Sequence, residues 1–201
     1  EERELTVMLV ADVSGSEDFG TADLLKRELI TEVCATIAFS AIKNNDKVGL
    51  ILFSDKVEKF IPPKKGRSHI LRLIRELLEF RAKERGTDIT NALRYMNNVI
   101  KKRCIAFLIS DMMDDAYEDA LKIANRRHDL VVLRTADPRE GDMPNVGLVR
   151  FTDPETNDTR WVNTGSRAVR NAYRAAALKH QQRTRESLRR SGVDNALITT
   201  D

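Results

Sequence analysis

Short apolar segments alternate with segments of helical periodicity along most of the chain, and this alternation constrains the fold more than any other feature. The apolar segments are rich in β-branched residues and end at turn or acidic residues: Leu5–Val13, Lys47–Ser54, Cys104–Ser110 and Asp129–Thr135. The segments between them repeat apolar residues at helical spacing: 23–43, 70–80, 91–100 and 117–126. Buried strands joined by helical crossovers predict a Rossmann-like α/β fold, in which a mostly parallel central sheet has helices on both faces.

One further strand is expected at an edge of this sheet. Residues 56–62 follow the second apolar segment after a Ser54–Asp55 turn, so they return antiparallel to it. Pro62 and Pro63 fit an edge position, because proline cannot donate a hydrogen bond to a neighbouring strand.

The composition changes after Pro138. Residues 138–165 predict a loop and an irregular hairpin, with strands at 148–151 and 159–162. A helix from the N-cap Ser166 to about residue 190 is predicted to end at Gly192, and residues 196–199 form a last strand. Residue 1 is not methionine, so we expect the chain to be part of a longer protein whose flanking segments carry any membrane anchor.

Composition excludes several classes of protein. The 34 basic and 31 acidic residues leave a formal charge of +3, and aromatic residues make up only 5% of the chain, so nucleic-acid binding is not expected. Cys34 and Cys104 have no cysteine neighbours, and three scattered histidines complete no zinc motif. We expect both cysteines to be core residues and the histidines to be surface or cap residues.

Ligands of open α/β sheets collect at the carboxyl ends of the strands, and two predicted strands end there in an aspartate. Asp12 follows the first strand, and Asp111 follows the strand that begins at Cys104. On adjacent strands these carboxylates would repel each other, and neither loop contains a lysine or an arginine. A bound cation is therefore the expected partner of the pair.

Three hydroxyl-bearing side chains are expected near these two carboxylates. The motif Asp12-x-Ser14-x-Ser16 can bring one carboxylate and two hydroxyls to a single point, and Thr87 adds a third hydroxyl from another loop. Asp88 is expected to cap the next helix or to support the site. Oxygen ligands alone favour a hard cation, Mg²⁺ or Mn²⁺. The alternative is that Asp12 and the serines only turn a strand into a loop and cap a helix.

The order and spacing of these residues resemble the metal-ion-dependent adhesion site of von Willebrand factor type A (vWA) domains. The resemblance runs from about Leu5 to Asp137 and implies one Mg²⁺ that is held, partly through water, by a defined ligand set: Asp12, Ser14, Ser16, Thr87 and Asp111. It also implies that an acidic residue of a partner protein completes the coordination of the ion.

A bacterial subgroup, domain of unknown function 58, is similar over nearly the whole chain. Its resemblance rests on four motifs, at residues 18–21, 46–50, 63–67 and 191–194. It implies a single vWA-like domain over residues 1–201 that works with a MoxR-type AAA+ ATPase or its substrate complex. We expect such a domain in the cytoplasm, with contact to the inner membrane only through flanking segments or the basic helix described below.

The sequence departs from the vWA pattern at two positions. Glu17 stands where methionine is frequent, so it either folds back as an internal ligand or repels an incoming acid. Arg85 replaces the first glycine of a frequent Gly-Gly-Thr, which leaves Thr87 as the expected ligand and Thr90 as a weaker candidate.

The last predicted helix is strongly basic. Between Arg167 and Arg190 it has eight basic residues and one acid, Glu186. Its apolar stripe is narrow and alanine-rich, and it is expected to lie on the sheet with the basic face outward. The stripe consists of Val169, Tyr173, Ala176 or Ala177, and Leu188. That face is either a solvated surface or a secondary interaction surface for an acidic partner or an anionic membrane, formed by four arginines: Arg183, Arg185, Arg189 and Arg190.

The function expected from these residues is non-enzymatic binding of a partner protein through the metal ion. No serine lies in a nucleophile elbow. Two alternatives stay open: a Mg²⁺-dependent phosphoryl-transfer enzyme with Asp12 as the nucleophile, and a structural domain in which Glu17 has made the metal site degenerate.

Overall fold

The strands and helices alternate as the sequence predicts. The computed structural model describes residues 4–14, 20–80, 86–137, 141–152 and 158–199, with the backbone alone for residues 20–25 and 152. The strands are β1 (Thr6–Asp12), β2 (Lys47–Phe53), β3 (Val57–Lys64), β4 (Ile105–Ser110), β5 (Asp129–Ala136), β6 (Leu148–Thr152), β7 (Thr159–Asn163) and β8 (Asp194–Thr199). The helices are α1 (Gly20–Lys43), α2 (Arg67–Glu79), α3 (Ile89–Val99), α4 (Glu118–Arg127) and α5 (Arg167–Ser191).

Six strands form one sheet in the order β3-β2-β1-β4-β5-β8. All neighbours in it are parallel except β2 and β3, so the Rossmann-like, vWA-type α/β fold and its antiparallel edge strand are confirmed. The edge strand approaches β2 closely at Gly49. A Cβ atom there would lie 2.6 Å from Met8 Sδ and 3.0 Å from the backbone nitrogen of Pro63, so only glycine fits.

Helices cover both faces of the sheet, because successive side chains of a strand point to opposite faces. Leu9 and Ala11 of β1 pack with apolar residues of α1 and α2. Met8 and Val10 of the same strand pack on the other face with α3 and α4. Cys34 and Cys104 are buried free thiols, as predicted.

The segment after β5 forms a hairpin outside the main sheet. Strands β6 and β7 pair with each other in a separate two-stranded sheet, which confirms the predicted hairpin. The residues at 138–140 and in the hairpin turn at 153–157 lie outside the described part of the chain.

Helix α5 differs from the expectation that it lies along the sheet. Ser166 caps it and Gly192 ends it with a φ of 67°, as predicted, but its buried residues are confined to the C-terminal end: Thr184, Leu188 and Ser191. Most of the preceding two thirds is exposed, and Tyr173 of the predicted apolar stripe is exposed there. Alanine buries too little surface for the middle of that stripe to hold the helix against the sheet.

His128 is the C-cap residue of α4, and its side chain is fully buried rather than at the surface. Its Nδ1 lies 3.3 Å from the backbone nitrogen of Cys104. Among the described residues, no helix is both long and apolar enough to cross a membrane.

Candidate metal centre

The two aspartates emerge side by side because β1 and β4 are adjacent and parallel. Ala11 of β1 pairs with Ile109 of β4, so Asp12 and Asp111 leave the same edge of the sheet. This is the adjacency that the sequence hypothesis required.

Asp12 is 4% exposed, and both of its carboxylate oxygens accept hydrogen bonds. Oδ1 accepts from the backbone nitrogen of Ser14 at 2.9 Å and from the Ser14 hydroxyl. Oδ2 accepts from the Ser110 hydroxyl at 2.6 Å. The end of β4 therefore holds the Asp12 side chain in place from the neighbouring strand.

Thr87 reaches this cluster from the loop before α3. Its hydroxyl oxygen lies 2.5 Å from that of Ser14, and the two hydroxyls are hydrogen-bonded. The loop is fixed on both sides of Thr87: the backbone nitrogen of Asp88 donates to the carbonyl oxygen of Ser54, and the Asp88 carboxylate accepts from the backbone nitrogen of Asn91. Asp88 is thus the predicted helix N-cap, and it positions Thr87 through the backbone.

Asp111 has a partner that the sequence did not suggest. The Nζ of Lys26, on α1, lies 3.1 Å from Asp111 Oδ2, and the two side chains are 14% and 28% exposed. The sequence argument considered only lysines and arginines within the two loops. Helix α1 brings Lys26 to the site from 85 positions away in the chain, a placement that no local motif indicates.

The turn after Asp111 is strained and tightly held. Met112 has a φ of 63°, a left-handed conformation that costs a non-glycine residue about 1–2 kcal/mol. Its backbone nitrogen donates to Ser110 Oγ at 3.0 Å, and that of Met113 donates to Asp111 Oδ1 at 3.1 Å. Asp114 Oδ2 accepts from the backbone nitrogen of Ile89 at 2.9 Å, so this turn is also tied to the start of α3.

The surroundings of Asp12 disfavour the charged form of its carboxyl group. Burial, followed by repulsion from the Asp111 carboxylate, raises its pKa to about 7, although the Ser110 and Ser14 hydroxyls oppose the shift. Ionising the Asp12 carboxyl group therefore costs free energy when no cation is present. A bound cation would offset that cost, so this environment favours cation binding.

The oxygens of Asp12, Ser14 and Thr87 fit a hard cation in chemistry and in position. Ligands about 2.1 Å from an octahedral Mg²⁺ lie roughly 3 Å from one another. The 2.5 Å between the Ser14 and Thr87 hydroxyl oxygens needs only a small expansion to reach that spacing. Within the described ranges, no group of three or more His, Cys, Asp or Glu residues is placed to hold a metal ion.

Ser16, Glu17 and Arg85 lie outside the described residues. The hydroxyl of Thr90, the weaker candidate, donates to the carbonyl oxygen of Ala116 at 2.9 Å, in the segment between β4 and α4.

The four arginines of the predicted secondary surface lie on α5, and they are not equivalent. Arg190 forms an ion pair with Glu118 at 3.0 Å, so its charge is compensated by α4. Arg183, Arg185 and Arg189 are exposed.

Comparison with known protein families shows to which family the chain belongs. A family described as "Protein of unknown function DUF58" matches residues 1–183. The chain belongs to the DUF58 family. An uncharacterized protein of Mycobacterium tuberculosis is 29% identical over 204 residues, which cover 100% of this DUF58 chain and 64% of that protein. An uncharacterized protein of Mycobacterium bovis matches equally. The DUF58 chain thus spans about 64% of the length of these curated relatives.

Solved structures share the fold of this DUF58 chain at low sequence identity. An aerotolerance-related membrane protein from Bacteroides fragilis has a TM-score of 0.62 and 16% identity, with 96% of this chain and 91% of that chain covered. The conserved hypothetical protein BatB from Bacteroides thetaiotaomicron has a TM-score of 0.59 and 15% identity, with 98% and 91% covered. At these identities the similarity establishes the fold alone.

Proposed function

We propose that this DUF58 chain is a non-enzymatic protein-interaction module that binds its partner through a Mg²⁺ or Mn²⁺ ion. Asp12, Ser14 and Thr87 hold the ion, Asp111 contributes its charge or a water-mediated contact, and Ser16 completes the ligand set. An acidic side chain of the partner takes the remaining coordination position.

The convergence of Asp12, Ser14 and Thr87 carries this proposal. Three oxygen-bearing side chains from two loops meet within hydrogen-bonding distance, and a second carboxylate stands beside them. A hard cation would use all of these oxygens and would relieve the repulsion between Asp12 and Asp111. When bound, it would also supply a positive charge able to attract a carboxylate from outside.

Lys26 supplies one positive charge at Asp111 and leaves Asp12 without a cationic partner among the contacts described for it. We expect an incoming divalent ion to weaken the Lys26–Asp111 ion pair, since both cations compete for one carboxylate. The ion pair thus lowers the net affinity of the site for metal.

The partner that we propose is a MoxR-type AAA+ ATPase or its substrate complex, on the strength of the family resemblance alone. We place the interaction in the cytoplasm, next to the inner membrane. An acidic contact residue on the partner follows from the chemistry of a cation that retains an open coordination position.

One observation favours the alternative of phosphoryl transfer on Asp12. Lys26 lies next to the two carboxylates, where the loop sequences contain no lysine. It nevertheless pairs with Asp111, and both oxygens of Asp12 accept hydrogen bonds in a buried position. A nucleophilic carboxylate needs an accessible oxygen. Incubation with acetyl phosphate and Mg²⁺, followed by mass spectrometry, tests this alternative: a phosphorylated Asp12 would contradict the non-enzymatic proposal.

Thermal denaturation with and without Mg²⁺ tests the metal. Binding to the native state alone stabilises it by about 2.7 kcal/mol at a hundredfold excess over Kd. We expect the melting temperature to rise, EDTA to reverse the rise, and both Asp12→Ala and Asp111→Ala to abolish it without unfolding the protein. Asp119→Ala, which removes an exposed carboxylate from α4, is the matched control and should retain the response. The same response in all three variants would locate the metal elsewhere.

Capture of a partner tests the interaction. The immobilised wild-type chain should retain a glutamate-containing peptide from the proposed ATPase only with Mg²⁺, and the Asp12→Ala variant should not retain it. Replacing that glutamate with glutamine should also abolish retention. Metal-independent capture would refute the coordination of a partner carboxylate.

A further inference from the structure

The hairpin formed by β6 and β7 exposes large apolar side chains on both of its faces. Paired residues of an antiparallel ladder share a face. Trp161 lies opposite Arg150 on one face, and Phe151 lies opposite Arg160 on the other. Trp161 is 67% exposed, and Phe151 is exposed as well. Each face therefore presents an aromatic ring beside an arginine.

Further apolar surface lies at the base of the hairpin. Leu148 is 64% exposed, and Val146, just before β6, is exposed too. An isolated two-stranded hairpin is at best marginally stable in water, and large side chains left in water on both faces add nothing to its stability. A surface that covers these apolar side chains would therefore stabilise the hairpin.

The first turns of α5 lie beside this hairpin. Arg174 forms an ion pair with Asp142, in the loop that leads into β6, and Arg170 Nη1 donates to the carbonyl oxygen of Thr164, at the end of β7, at 2.5 Å. The backbone nitrogen of Thr164 in turn donates to the carbonyl oxygen of Gly147. We call β6, β7 and the start of α5, Arg167–Arg174, the hairpin surface.

The strands of the hairpin surface and the start of α5 carry basic and no acidic residues. Their five arginines are Arg150, Arg160, Arg167, Arg170 and Arg174, of which Arg174 is paired with Asp142. In the sequence, three acidic residues lie between the two strands, at positions 153, 155 and 158. Arg150 and Arg160 are exposed next to the aromatic rings.

From this juxtaposition we infer that the hairpin surface docks onto a membrane containing anionic lipid, with its aromatic side chains in the headgroup region and its arginines on the phosphates. Tryptophan and arginine suit this boundary, since one is amphipathic and the other binds phosphate in a bidentate manner. A folded protein partner would need a cleft that fits around both faces of the hairpin. Fluid lipid adapts to an exposed surface of any shape, which is why the two-sided exposure favours a membrane.

Trp161 is the only tryptophan of the chain, so its fluorescence reports directly on the hairpin surface. We would titrate the protein, in EDTA, with vesicles of phosphatidylcholine and with vesicles of phosphatidylcholine and phosphatidylglycerol. A blue shift of the emission with the anionic vesicles, weakened by high salt, is the expected result. EDTA keeps the experiment independent of the proposed metal site.

Two variants and a matched control locate the contact. The Arg150→Gln, Arg160→Gln double variant should bind anionic vesicles roughly 25-fold more weakly, at about fivefold for each charge removed. Phe151→Ser should weaken binding by on the order of tenfold, because the apolar burial of one aromatic side chain is lost. Arg72→Gln, Arg75→Gln removes the same charge from the exposed side of α2 and should cost far less. Far-ultraviolet circular dichroism checks that each variant is folded.

Several outcomes would overturn the inference. One is the absence of a fluorescence shift with anionic vesicles, and another is an equal loss of binding in the α2 control variant. A third is a shift that depends on protein concentration alone, which would indicate association with a second copy of the chain. A shift with soluble polyglutamate but not with vesicles would instead indicate an acidic protein partner.

Discussion

Replacing Asp12 with asparagine should stabilise the protein at alkaline pH and destabilise it in mild acid. Burial and the Asp111 charge raise the pKa of Asp12 from 3.8 to about 7. Between these two values the native state binds more protons than the unfolded state, so the free energy of unfolding falls as the pH rises from about 4 to 7. Above pH 7 this contribution stays constant.

The size of the effect follows from that shift. A difference of about three pKa units corresponds to about 4 kcal/mol of unfavourable charge burial at pH 8 in the absence of a cation. Asparagine removes this cost, but its amide nitrogen faces a hydroxyl donor of Ser14 or Ser110, which costs about 1–3 kcal/mol. The net gain at pH 8 is about 2 kcal/mol, or roughly 4–8 °C in melting temperature for a domain of this size.

Urea denaturation in EDTA at about pH 4.5 and about pH 8 measures the change. Asp12→Asn should be more stable than the wild type at the higher pH and less stable at the lower one, where the wild-type carboxyl is already protonated. Asp46→Asn is the matched control: Asp46 is also buried, it accepts a hydrogen bond from the backbone nitrogen of Leu5, and it should give no gain at pH 8. An effect of Asp12→Asn with the same sign and size at both pH values would refute the reasoning.

Three further substitutions probe the same site. Lys26→Met should raise the affinity for Mg²⁺ about fivefold by calorimetry, since about 1 kcal/mol of repulsion between neighbouring cations is removed; Lys43→Met, at the far end of the same helix, should leave it unchanged. Thr87→Ala should abolish stabilisation by Mg²⁺ in thermal denaturation, whereas Thr87→Ser should retain it, and equal behaviour of the two would exclude the hydroxyl as a ligand. Glu17→Met should weaken Mg²⁺ binding but strengthen capture of an acidic peptide, and a decrease in both affinities would indicate that Glu17 contacts the peptide directly.

Much of the fold could be predicted because its signals are local. The apolar segments specify the central strands, and a parallel sheet brings their carboxyl ends to one edge, so Asp12 and Asp111 could be paired from the sequence. Ser166 and Gly192 mark the ends of α5 by ordinary capping chemistry. Thr87 could be found because its loop precedes a helix that begins at the same edge.

The remaining features depend on tertiary packing that no local pattern records. Lys26 reaches Asp111 only because α1 packs on the sheet, and the left-handed Met112 donates from its backbone nitrogen to Ser110 Oγ. The basic composition of α5 gave no indication that most of its length would be exposed rather than covered by the sheet. His128 was expected at the surface or as a cap: it is the C-cap of α4, and packing also buries its ring.

Anomalous diffraction from a crystal soaked in Mn²⁺ tests the metal site most directly, because it shows the position of the ion without relying on stability or partner capture. The account predicts one anomalous peak at the end of β1, about 2.2 Å from oxygens of Asp12, Ser14 and Thr87, with Lys26 displaced from Asp111. A crystal that contains Mn²⁺ elsewhere, or one in which Lys26 stays on Asp111 and no peak lies beside Asp12, would contradict it.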